Sequence, residues 1–190
     1  SAHEIKDEPK LIFDKFLDSN FNKNTLWLDS KNLNLIENCQ LGEKWLKTNY
    51  QKFLSLLVET PTDSINNINN KAWINCINEI NNIENIDVGY YLPTQLITEC
   101  SQQIIREKKN YSTKCQKLYS DTTSFLNKAK INSITFDYSG YEFVKSFKNF
   151  KNYKWHIWHV DSLKSFNKIF ENKNIGIVLL KNNRFTDNLN

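Results

Sequence analysis

SITFDYSGYEFVKSFKNFKNYKWHIWHVDSLKSFNKIFENKNIGIVLL, residues 133–180, is the stretch on which the fold reading turns. Ser133–Asp137 is a short branched and aromatic run of the kind that forms strands. Residues 140–150 then read as a helix, and YKWHIWHV (153–160) as a second, aromatic strand. A helix over 161–171 and the apolar strand IGIVLL (175–180) complete a β-α-β-α-β run. Crossovers of that form favour a parallel, right-handed three-stranded sheet.

Upstream of it the spacing reads differently. Apolar residues at 35/36, 39, 45/46, 50, 53/54 and 57 recur at helical intervals, with a break expected at Gly42. Residues 5–18 read as a short amphipathic helix, SNFNKNT (19–25) as a polar connector, and 71–85 as a helix ended by Asp87-Val88-Gly89. After Pro93, apolar or small positions from Ile97 to Ala129 predict one helix from Thr94 to Lys130, about 50 Å long at 1.5 Å per residue. Its regularity falters only around Glu107-Lys108-Lys109. The expected class is therefore α+β, mostly α-helical: a helical bundle over about residues 5–130 followed by a small β-α-β-α-β layer. The expected units are 1–130, with the long helix 94–130, and a small α/β subdomain over 131–190 packed on it, one continuous domain being the alternative.

Composition excludes several classes. With 190 residues and 39% hydrophobic content the chain can bury a real core. No apolar run approaches the ~20 residues of a membrane span, so no membrane insertion is expected. Twelve Phe, eight Tyr and five Trp argue against wholesale disorder, and only four Gly and three Pro against a many-turned sandwich. Asn occurs 28 times beside 23 Lys, 19 Ile and two Arg, which is the signature of an AT-rich genome rather than of a binding surface. The absence of Met points to a processed form. Residues 1–90 carry a net −4 and residues 91–190 a net +8, so a basic surface is expected on the C-terminal half.

Cys39, Cys76, Cys100 and Cys115 contain no close-spaced ligand pair, so metal binding by them is not expected. Buried free thiols are the leading expectation for them, with two structural disulfides the alternative. Within one continuous helix Cys100 and Cys115 would lie about 22 Å apart, beyond disulfide reach, so each would pair with Cys39 or Cys76.

Three constellations could carry chemistry. Asp137 and Asp161 end predicted strands, and His159 lies close by, as a candidate general base. Parallel sheets bind ligands at such strand ends, although Asp before a helix is also an ordinary N-cap. His156 and His159 stand three apart, which on a regular strand sends them to opposite faces. Lys145, Lys148, Lys151 and Lys154 interleave with Trp155 and Trp158, a pattern suited to single-stranded nucleic acid. No cofactor motif is present, and no cofactor is expected. The leading expectation is a non-enzymatic helical interaction protein, secreted or exported, that binds a protein partner through the long helix. The alternative is a nucleic-acid-binding protein or small nuclease using the basic aromatic layer, and after it a small enzyme with a phosphate-bearing ligand.

Overall fold

The computed structural model describes residues 24–107 and 111–181. Strands and helices alternate: β1 (Asn24–Asp29), α1 (Ile36–Asn49), β2 (Phe53–Thr60), α2 (Lys71–Asn81) and β3 (Ile86–Tyr91). Two helices follow, α3 (Thr94–Glu107) and α4 (Thr113–Ala129), then β4 (Ser133–Asp137), α5 (Tyr141–Ser146), β5 (Lys154–Val160), α6 (Leu163–Phe170) and β6 (Ile175–Leu180). All six strands form one parallel sheet in the order β1-β2-β3-β4-β5-β6.

This overturns the expected helical bundle over 5–130 followed by a β-α-β-α-β layer. The chain is an α/β protein, and three of its strands lie in the half that was expected to be helical. The last turn of the expected helix is β2, FLSLLVET, which is buried along most of its length. A parallel strand covered on both faces loses its alternation and reads as a continuous apolar run. Leu56-Leu57-Val58 satisfies that description and helical spacing equally well. The expected division at 130/131 does not interrupt the sheet, because β3 pairs directly with β4. Helix 5–18 lies outside the described residues.

The expected helix 94–130 is two helices. Ser112 caps α4, its hydroxyl accepting from the Cys115 N–H at 3.3 Å. Cys100 of α3 bonds to Cys115 of α4, with their Cα atoms 5.8 Å apart. The expectation that these two cysteines cannot pair therefore fails with the straight helix it assumed. Cys39 and Cys76 form the second bridge, which ties α1 to α2. Among the described residues no cysteine is free.

Sequential parallel strands joined by right-handed crossovers place their helices on one side of the sheet. That side is apolar: Leu56, Val58, Val88, Tyr90, Ile134, Phe136, Trp155 and Ile157 are all buried. Phe125 of α4 packs between Tyr90 and Trp73, with ring centroids 4.9 and 5.9 Å away. The other side curls into a trough. Trp27 on β1 and His156 on β5 would stand about 19 Å apart on a flat sheet with strands 4.8 Å apart. Their ring centroids are 5.9 Å apart.

The trough is polar. Down its wall run Trp27, Asp29, Glu59, Asp87, Tyr91, Ser133, Thr135, Asp137, Lys154, His156 and Trp158, each placed by strand alternation and register. Gly89 is required here. A Cβ on it would lie 2.7 Å from Thr135 Cγ2 and 3.1 Å from Leu57 Cδ1, so a side chain would close the trough.

Candidate functional site: the carboxyl mouth of the trough

Helix layers and strand direction leave one end of a parallel sheet open, and loops beyond the strand carboxyl ends make the usual site. Three strands end here in an acid. Asp29 closes β1, Glu59 stands next to the end of β2, and Asp137 closes β4. Asp29 and Glu59 are direct register partners. Tyr91 ends β3, and Trp158 and His159 stand near the end of β5.

Glu59 is the unusual member. It is 6% exposed, and burial pushes its carboxyl up to about 7. Thr135 opposes that shift, the Asp29 charge adds to it, and Lys31 and the Trp27 indole oppose it. The Trp27 N–H donates to Oε2 at 3.2 Å. The Thr135 hydroxyl is fully buried and completes no hydrogen bond of its own, so its effect on Glu59 is that of a nearby dipole. Glu59 is thus half protonated near neutrality.

Asp137 has a different setting. One oxygen accepts from the Ser139 N–H and the other contacts His159 Nδ1, both at 2.8 Å. The pair fixes the imidazole with Nε2 as the nitrogen left for a substrate or water. His159 has φ 59°, a conformation that costs a non-glycine residue energy and is found at functional sites. The β5–β6 register slips between Ile157 and Val160, so the regular strand alternation is broken at this point. For that reason His156 and His159, though three apart, both reach the trough side. The expectation of opposite faces assumed an unbroken strand.

Tyr91 stands between the two acids, and burial raises its phenol, helped by the charges of Glu59 and Asp137 and opposed by its bond to Thr94 and by Lys31. Its hydroxyl is bonded to Thr94. The Trp158 ring lies 5.5 Å from Tyr91 and 4.4 Å from His159. Lys31, salt-bridged to Asp29 at 2.6 Å, rides 5.9 Å above the Tyr91 ring. Its ammonium is raised by Asp29 against the opposing effect of burial.

Of the residues picked out in the sequence, Asp137, His159 and Trp158 meet here. Asp161 does not join them: its carboxylate accepts from Ser165 at 3.5 Å beside Ser162, which caps α6. The lysine set disperses. Lys145, Lys148 and Lys151 are exposed on the helical side, whereas Lys154 enters the trough and pairs with Asp87 at 2.7 Å. Trp155 lies wholly in the core, with its N–H donating to Phe150 O at 2.8 Å. Asp29, Lys31, Glu59 and Tyr91 escaped the sequence reading. Asp29 and Glu59 did leave a signal: LWLD and LLVE are apolar runs closing on an acid, as ITFD does at Asp137.

Among the described residues, no group of three or more His, Cys, Asp and Glu is arranged to hold a metal ion, and no helix is long and apolar enough to cross a membrane. Fold and site together define a singly wound α/β trough with acid–base groups at its carboxyl mouth. No family model, curated protein or solved structure matches the chain.

Proposed function

We propose that the chain is a hydrolase that cleaves a glycosidic bond by general acid–base catalysis at the carboxyl mouth. The observation that carries this reading is Glu59, a buried carboxyl pushed up to about 7, set at the same mouth as a second carboxyl that donors hold in place. A sugar alkoxide leaves only when protonated, and an acid poised near neutrality supplies that proton. The Asp137–His159 pair activates the opposing water. Glu59 and Asp137 lie two strands apart and four residues apart in register, because Glu59 pairs with Gly89 and Gly89 with Ser133; about 16 Å would separate their Cα atoms on a flat sheet, and hydrolysis requires the curl and the side chains to close that gap around the water.

Charge and shape narrow the substrate. Among the described residues, Lys31 is already paired to Asp29 and His159 to Asp137 beside the buried Glu59, so this acidic mouth disfavours phosphate anions. The faces of Tyr91 and Trp158 suit the C–H surfaces of sugar rings. Two disulfides support work in an oxidising compartment. The seam expected for a protein partner depended on an unbroken helix 94–130, and base stacking depended in part on Trp155, now in the core.

The test is hydrolysis of a panel of aryl glycosides beside aryl phosphates. The expected result is turnover of at least one glycoside, with Glu59→Gln lowering kcat by about 10²–10⁴-fold. Turnover of the phosphates alone, or full activity in Glu59→Gln, overturns the proposal.

A further inference from the structure

Deeper in the trough lies a histidine that the proposed chemistry does not use. His156 is 2% exposed and sits on β5 among groups from four other strands. Its Nδ1 accepts the backbone N–H of Ile177 on β6 at 3.1 Å. The imidazole thereby replaces a backbone carbonyl in the β5–β6 ladder, at the place where the register slips between Trp155 and Ile157. Gly176 makes the approach possible, because a Cβ there would fall 2.5 Å from His156 Cε1 and 2.8 Å from Nδ1.

A nitrogen that accepts a hydrogen bond carries no proton. The ring is therefore held neutral with its hydrogen on Nε2, which is buried, lacks a hydrogen-bond partner, and points toward Asp87 Oδ2 at 3.6 Å. The charged groups facing it are Asp87 on β3 and Lys154, which bonds Asp87 at 2.7 Å. Ser133 on β4 donates to Asp87 at 2.8 Å, the Trp27 ring packs edge-on from β1, and β6 presents only Gly176. Two demands conflict at this ring. Asp87 favours an imidazolium, whereas the Ile177 N–H accepts only the neutral form.

Strand β6 and the residue after it also hold the mouth, Leu180 pairing with Val160. The Lys181 N–H donates to Val160 O at 2.8 Å, one residue beyond His159 and its φ of 59°. Pinning Val160 to β6 fixes the slipped register that turns His159 onto Asp137.

We propose that His156 is a proton-operated latch: uptake of a proton at Nδ1 expels the Ile177 N–H, loosens β6 and releases His159 from Asp137. The sign follows from the geometry. The latch is closed while Nδ1 accepts the Ile177 N–H and opens when that nitrogen takes up a proton. Its consequence for activity rests on the hydrolase reading above, but the latch itself does not.

The experiment is a nitrogen-15 NMR titration of the intact chain from pH 8 to pH 5, following the Ile177 amide, the His156 ring and the His159 ring. The expected result is one shared midpoint, with Ile177 protection, corrected for intrinsic exchange, falling at least tenfold. In His156→Asn the Oδ1 stands in for Nδ1 and cannot take up a proton, so Ile177 stays protected across the range. In His156→Leu the acceptor is gone, and protection is low at every pH. A wild-type ring that titrates while Ile177 stays protected overturns the latch, as does the same step in His156→Asn. A step at Ile177 that leaves the His159 signal unmoved overturns its link to the mouth. A clean step in a chain that hydrolyses no glycoside leaves the latch standing and removes the hydrolase.

Discussion

Replacing Glu59 by Gln isolates the cost of keeping a carboxyl in the trough. In the unfolded chain this group titrates near 4.5, and in the folded chain near 7. At pH values below 4.5 both states hold the proton, and the group does not penalise folding. As pH rises from 4.5 to 7 the unfolded chain gives up its proton first, so folding stability falls. At about 1.4 kcal/mol for each pH unit, the loss is complete just above 7 and comes to about 3 kcal/mol. Gln has nearly the same shape, its carbonyl can still accept from the Trp27 indole, and it does not titrate. Urea unfolding at pH 5 and pH 8 therefore should show the variant gaining about 3 kcal/mol on the wild type at the higher pH. Most of that gain should vanish at pH 5. Equal pH dependence in the two proteins would refute the buried-acid argument, and with it the assignment of Glu59 as the proton donor.

The other perturbations act on separate parts of the fold. Trp155→Ala removes a fully buried ring and should cost about 3–5 kcal/mol in urea unfolding, more than Trp158→Ala at the half-open mouth. Reducing the Cys100–Cys115 bridge, which closes a separation of 15 residues, should lower stability by about 3 kcal/mol, and the Cys39–Cys76 bridge slightly more at a separation of 37. The check is denaturation of each double Cys→Ala variant against the wild type. Asp87, held down to about 2 by His156, Lys154 and Ser133 in spite of its burial, contributes stability above pH 3.8 that is lost as pH falls through 2. Acid titration of Asp87→Asn, followed by circular dichroism, should lack that part of the transition, which amounts to about 2 kcal/mol.

The C-terminal half was legible because its elements are short and sharply bounded. Ser133–Asp137 and Ile175–Leu180 are apolar runs too short for helices, and the turns between them carry their own caps, Asp137 and Ser162. The amino-terminal half was not. Phe53–Thr60 follows a true helix after only three residues of tight turn, so the helical spacing of α1 runs into the strand without punctuation. In α3 and α4 the apolar pattern keeps its phase across the turn, because both helices face one core. The break at Glu107-Lys108-Lys109 and the capping Ser112 mark the second start. Asp137 and His159 could be suspected as chemistry from strand-end position. Glu59 left the same strand-end signal in LLVE, but nothing adjacent in sequence reveals that burial raises it.

By itself the sequence determined what depends on neighbours along the chain: the aromatic core content, the lack of a spanning segment, the caps, and the last three strands. It determined a set of four cysteines but not their partners. Tertiary structure alone decided that the first half contributes three strands to the same sheet. It also decided that the sheet curls until Trp27 meets His156, and that Cys100 finds Cys115. The reason is physical. Helical and buried-strand patterns coincide over eight residues, and what separates them is the pairing of backbone groups with strands about 30 residues away. The site follows the same rule, because its acids lie at the ends of separate strands and meet only when the strands align in register.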